Sequence, residues 1–107
     1  METSQFITFV DEKLENLAEV IEQTDTNYTL EDIEYQDGVL TLTLEDDRQY
    51  VINRHTPSRQ IWLSSPVSGA GHFSHQQDDC WIDSKGRDLY KLLKEELQQV
   101  AQLNLPL

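Results

Sequence analysis

Thiols are almost absent from this chain: Cys80 is the only cysteine among 107 residues. No intrachain disulfide can form, and a reducing compartment is expected. Glycine and proline are sparse, at four and three, and neither a low-complexity linker nor an internal repeat is present. No apolar run approaches the roughly 18 residues of a membrane-spanning helix. Catalytic fingerprints are missing too: there is no Gly-X-Ser-X-Gly, phosphate-binding loop, His-Glu-X-X-His or Rossmann glycine pattern, so no enzyme is expected. The opening Met1-Glu2-Thr3-Ser4-Gln5 has neither a basic n-region nor the Arg-rich character of a transit peptide. A cytoplasmic chain of bacterial or unprocessed origin is the expectation.

Basic residues are the most telling shortage. Eight Lys and Arg face 20 Asp and Glu, for a net charge of −12. Residues 1–47 carry 14 acids against Lys13 alone, whereas residues 48–107 carry 6 acids against 7 bases. A field this one-sided points to a cationic partner, either metal ions or a basic protein patch. It excludes nucleic acid, whose phosphates it would repel.

At this length a single domain spanning 1–107 can bury one core without a metal or disulfide staple. Phe6, Phe9, Val10, Leu14, Leu17, Val20 and Ile21 recur at helical spacing and predict a helix over 4–23 with Ser4 as N-cap. Asp11, Glu12, Glu15, Glu19 and Glu22 form a carboxylate stripe on the opposite side of that helix. From residue 28 to 83 the period becomes two. Asp37-Gly38 is a hairpin signal before Leu40, Leu42 and Leu44. Further strands are expected at 49–53, 60–64, 72–75 and 80–83, with 65–71 as a longer loop. Asp88 should cap a second helix whose apolar face is Leu89, Leu92, Leu93, Leu97 and Val100, and the Leu103–Leu107 tail should pack back. Helix, meander and helix, each with one apolar face, predict an α+β two-layer sandwich. The N- and C-terminal helices lie on one face of a single antiparallel sheet, and the other face meets water.

Strand 60–64 raises a question of register. With Ile61 and Leu63 inward, Gln60, Trp62 and Ser64 face solvent, and Asn53 joins them from the preceding strand. An exposed Trp amid polar residues suits a protein-binding hot spot; the inverted register makes Trp62 a core residue. The pattern alone permits both.

The run from Tyr50 to Gly69, with Asn53-Arg54-His55-Thr56-Pro57 and Gln60-Ile61-Trp62-Leu63-Ser64-Ser65-Pro66 inside it, resembles the signature of the frataxin family. Tyr28–Asp32, Gly38–Thr41, Trp81 and Asp88-Leu89 resemble it as well, so the similarity covers essentially the whole chain, in its bacterial branch. His55 stands where the family usually has Gln, Ala70 where eukaryotic members have Pro, and Ser74 where an acid is frequent. The resemblance implies that Asn53, Gln60 and Trp62 lie on an exposed sheet face that contacts partners, flanked by Arg54 and Arg59.

It also implies iron binding, as Fe2+ or Fe3+, along a ridge of the first helix and first strand. Glu12, Glu15, Glu19, Glu22, Asp25, Glu31, Asp32 and Glu34, with Asp37 beside them, are the candidate ligands. Carboxylate oxygens suit hard cations, and with no His or Cys interleaved the sites should be weak and unselective. Glu19 and Glu22 are expected to serve a second purpose, docking on the basic surface of the cysteine desulfurase IscS, with the scaffold IscU as a further partner. A lone Cys80 cannot hold a cluster, which takes several thiolates. Within strand 72–75, His72 and His75 should point to opposite faces and read as surface histidines. The implied function is an iron-responsive adaptor of iron–sulfur cluster assembly, monomeric without iron load. The alternative is an iron store acting by metal-driven oligomerisation.

Overall fold

The computed structural model describes all 107 residues. Helix α1 (Thr3–Thr24) leads into strands β1 (Leu30–Gln36), β2 (Val39–Leu44), β3 (Gln49–His55), β4 (Gln60–Ser65), β5 (Gly69–His75) and β6 (Trp81–Ile82). A short 3-10 turn (Thr56–Ser58) joins β3 to β4, and helix α2 (Leu89–Ala101) closes the chain. The sheet is antiparallel throughout, in the order β1-β2-β3-β4-β5-β6. Both helices pack on one face, so the expected two-layer sandwich is the fold.

Helix α1 buries Phe6, Val10, Leu14, Leu17 and Ile21, steps of three and four that put them on one stripe. Burying each such side chain stabilises the fold by about 1.5–3 kcal/mol. The N-cap is Glu2 rather than Ser4. The Glu2 backbone N–H donates to Gln5 Oε1 at 3.2 Å, and the Ser4 hydroxyl donates back to the Glu2 carboxylate. Gln5 answers one of the free amides of the first turn, which a serine cap at position 4 would have left outside the helix.

The expected loop at 65–71 is instead a tight turn, with β5 already running from Gly69. Ser65 Oγ accepts from the Val67 and Ser68 amides at 3.0 Å each. Gly69 adopts φ +84° without penalty, so pairing resumes at once as Ser65↔Gly69. Gly71 faces the helices beneath the Phe73 ring, where an added Cβ would stand 2.6 Å from a ring carbon. Of the glycines that suggest a loop, Gly69 supplies the positive φ of the turn, and Gly71 is a strand residue kept small by the Phe73 ring.

In α2 the Asp88 carboxylate accepts from the Lys91 amide at 3.0 Å, the expected cap. Gln102, at φ +55°, ends the helix as its N–H turns back to Gln98 O, and Leu103 bonds Leu97 O. Leu103 and Leu105 then bury against the core, while Leu107 stays exposed. One cluster of 22 residues, Trp81 and Tyr50 its largest side chains, fills the space between helices and sheet. Glu96, in the middle of the apolar face of α2, is buried with it. Its Oε1 accepts from the Tyr50 hydroxyl at 2.8 Å and the Ser65 hydroxyl at 2.6 Å. No helix is long and apolar enough to cross a membrane.

Candidate functional site: an acidic ridge and an open sheet face

Alternation along the strands decides the register of Trp62. Ile61 and Leu63 are fully or nearly fully buried, while Gln60, Trp62 and Ser64 face away from the helices. Asn53 pairs with Trp62, and Trp62 with His72. The open face thus presents Asn53 and His55 from β3, Gln60 and Trp62 from β4, and His72 and Ser74 from β5. Trp62 stands between two imidazoles. The His55 ring lies 3.5 Å from it at 7°, and the His72 ring 4.0 Å away at 11°. The indole N–H donates to Gln60 Oε1 at 2.9 Å, and Gln60 Nε2 donates to Ser74 Oγ at 3.1 Å.

Arg54 is a correction. It sits opposite the buried Ile61, so its side chain leaves the sheet on the helix side. There its guanidinium bonds Asp11 of α1, under Gly38, where an added Cβ would come within 2.7 Å of the Arg54 guanidinium. Asn53 and Arg54 are adjacent in sequence and so face opposite ways. Arg59, in a left-handed conformation after the 3-10 turn, donates to the Thr56 carbonyl and the Thr3 hydroxyl near the start of α1. It belongs to the rim of the sheet rather than to the face around Trp62.

The ridge follows α1 and the edge strand β1. Glu12, Glu15, Glu19 and Glu22 are exposed on α1. Glu31, Asp32 and Glu34 are exposed on β1, with Asp32 and Glu34 pointing to the open face because Ile33 and Tyr35 point to the helices. Asp11 and Tyr35 join the two elements through a 3.1 Å hydrogen bond. Burial, then the bond to Asp11 and its negative charge, hold the Tyr35 phenol above its ordinary range. None of the seven carboxylates is paired with a cation of the fold: the salt bridges join Lys13 and His75 to Asp79, Arg48 to Asp46, Arg54 to Asp11 and Arg87 to Asp83. Nor do any three His, Cys, Asp or Glu side chains converge as a metal cage.

Asp25 leaves the ridge set. It is buried, and its carboxylate accepts from the Thr29 amide and hydroxyl at 2.8 Å and from the Leu30 amide at 3.0 Å. Desolvation would raise its pKa, but those bonds outweigh it and hold the group below the usual carboxylate range. Asp25 fastens the turn from α1 to β1. Asp37, at φ +49°, shapes the β1–β2 turn. His75 points to the face opposite His72, as expected, but rather than standing free on the surface it packs on the helix side, its ring against Phe9 and Trp81 and its Nε2 3.0 Å from Asp79. Desolvation and the neighbouring Asp78 push the Cys80 thiol up, away from a reactive thiolate.

The family model described as frataxin-like domain matches residues 1–103. The chain belongs to the frataxin family. It is 37% identical over 102 residues to the iron-sulfur cluster assembly protein CyaY of Vibrio atlanticus, covering 94% of this chain and 93% of that one. It is 38% identical over 105 residues to mitochondrial frataxin of Arabidopsis thaliana, covering 94% of this chain but 56% of the plant protein. The chain thus spans a little over half the length of that relative, and likewise of the frataxin of Dictyostelium discoideum. Among solved structures, frataxin of Psychromonas ingrahamii superposes with a TM-score of 0.84 over 98% of this chain and 96% of that one at 24% identity, a likeness of fold. Trimeric frataxin of Saccharomyces cerevisiae, solved with ferrous iron, superposes at 0.70 over 95% of this chain and 88% of that one, with 31% identity. Against the frataxin frame, the sequence reading missed the Asp11–Arg54 pair, the Glu96 network and the imidazoles around Trp62. Only the last had a sequence signal: residues 53, 55, 60, 62 and 72 share a face once β3, β4 and β5 are in register.

Proposed function

We propose that this frataxin is a non-catalytic, iron-responsive adaptor of iron–sulfur cluster assembly. The observation that carries the reading is a ridge of exposed carboxylates, Glu12, Glu15, Glu19, Glu22, Glu31, Asp32 and Glu34, that no cation of the fold neutralises. Such a surface attracts metal ions and basic protein surfaces alike. Without a preformed cage, iron binds weakly and at several overlapping places, with a few carboxylate oxygens and water completing its shell. Iron is cargo or signal here rather than a resident cofactor.

The name of the Vibrio relative supplies the pathway. Glu19 and Glu22 of the ridge then engage the basic surface of the cysteine desulfurase IscS. The face formed by Asn53, Gln60 and Trp62 meets the junction of desulfurase and scaffold IscU. Sharing one ridge between iron and desulfurase makes occupancy by one affect the other. The expected site of action is the cytoplasm.

A second reading, storage by metal-driven assembly, takes support from the trimeric yeast frataxin solved with ferrous iron. Pull-down of the desulfurase by wild-type chain, by Trp62→Ala and by Glu19→Lys/Glu22→Lys, each with and without ferrous iron, tests the adaptor reading. Binding by the wild type and its loss in the ridge variant are expected. A folded chain that binds no desulfurase under any condition, yet forms large iron-loaded assemblies, would replace the adaptor with the store.

A further inference from the structure

Three parallel rings on three neighbouring strands are an unusual thing to leave on an open sheet face. His55 of β3, Trp62 of β4 and His72 of β5 form one continuous stack, at 3.5 Å and 4.0 Å between successive centroids. The His55 ring is held by Nδ1 at 2.7 Å from Ser58 Oγ, and the Trp62 ring by Gln60. We propose that His55 and His72 are positioning residues that hold Trp62 upright for docking, and that a proton gained by either one weakens docking of this face. The inference rests on the adaptor reading, in which the Trp62 face meets the desulfurase–scaffold junction.

The charges around the stack make it responsive to protons. The residues that share the centre of the face, Val51, Asn53, Gln60, Ser64, Ala70 and Ser74, carry none. From the 3-10 turn, Ser58 meets His55 and brings no charge. Arg54 and Arg59 are turned away to Asp11, Thr3 and Thr56. On the β6 side, Asp83 is the one ionisable residue lining the groove with His72, and Arg87 holds it at 2.7 Å. On the far side, Glu34 of β1 and Asp37 of the β1–β2 turn line a hollow with Val39 and Thr41 of β2, the strand beside β3. The two imidazoles are thus the groups that set the charge of the centre.

Histidine is the side chain that changes charge between about pH 5 and 8. In the free chain a protonated imidazole still sits well on the indole face, because a cation is attracted to it. Docking changes the balance. A partner that covers the stack takes the new charge out of water, which costs far more than covering a neutral ring. The complex therefore favours neutral imidazoles, and affinity falls as the solution is acidified.

The test measures binding of the purified desulfurase by calorimetry between about pH 8 and pH 6, for the wild type and for His55→Gln/His72→Gln. The wild type should lose roughly tenfold more affinity than the variant over that range. Equal losses, or wild-type binding that tightens in acid, would overturn the proposal. A second measurement needs no partner: NMR titration of the free chain follows both imidazoles and the Trp62 indole N–H. The Trp62 resonance should move with the imidazoles in the wild type and stay still in the variant. If it stays still in the wild type while the histidines titrate, the stack is not coupled and the proposal fails. No desulfurase binding at any pH would sink the adaptor reading, and the NMR titration would then decide the stack alone.

Discussion

Arg54 and Asp11 lie 43 positions apart and form an ion pair that ties β3 to α1, with both side chains only partly exposed. Asp11 also accepts the Tyr35 hydroxyl, so one carboxylate fastens α1 to the first and third strands. That carboxylate stands in the acidic stripe of α1, yet its work is internal.

Asp11→Ala should therefore destabilise the fold, by about 2 kcal/mol, because it strands a half-buried guanidinium and a phenol. Glu12→Ala, one residue on and exposed, should change stability by less than about 0.5 kcal/mol. Urea unfolding of the two variants checks the contrast. Gly38→Ala belongs with the first, since it forces a side chain onto φ +77° and into the Arg54 guanidinium.

Glu96→Ala should cost about 2–4 kcal/mol by leaving the Tyr50 and Ser65 hydroxyls without their acceptor inside the core. Glu96→Gln, which keeps an acceptor oxygen, should recover a large part of the loss. Equal destabilisation by the two substitutions, read from thermal unfolding, would mean that the carboxylate charge rather than the acceptor matters.

Acid should weaken the fold through Asp25. Its pKa is lowered in the folded state, so its contribution is fully present above the unfolded-state value near about 3.9 and is lost as pH falls through the folded value. Asp25→Asn should cost about 1–3 kcal/mol at neutral pH and flatten the acid limb of stability against pH. An unchanged acid limb would place the sensitive carboxylate elsewhere, with Asp83, lowered by its bonds to Arg87 against desolvation, the next to test.

The architecture was readable because its causes are local. The three-and-four spacing of α1, the alternation Leu40, Leu42, Leu44 and the Asp37-Gly38 turn each specify an element without help from distant residues. Hydrogen bonds between side chains far apart in sequence were not readable. Nothing in the order of residues tells Asp11 from Glu12, or Asp25 from Glu22, because a carboxylate becomes a fastener only when folding brings a donor to it. Ser65 hid a turn for the same reason, and Arg54 lost its place beside Trp62 to simple strand alternation. The ridge was legible as composition and the Trp62 face through the family resemblance; the stack on Trp62 required the register of three strands at once.

Exposed ridge carboxylates should be cheap to change. Glu19→Lys/Glu22→Lys should leave unfolding within about 1 kcal/mol of the wild type while weakening ferrous binding, read by competition with a metal indicator. Unchanged iron affinity would move the metal to Glu31, Asp32 and Glu34 on β1.

The most direct test of the adaptor account is a reconstituted assembly reaction: desulfurase, scaffold, cysteine and a range of ferrous iron, with and without this chain, following cluster absorbance on the scaffold. The account predicts that the chain changes the rate of cluster formation, that the size of the change depends on iron, and that Glu19→Lys/Glu22→Lys abolishes it. A rate that the folded wild-type chain leaves unaltered at every iron concentration would contradict it.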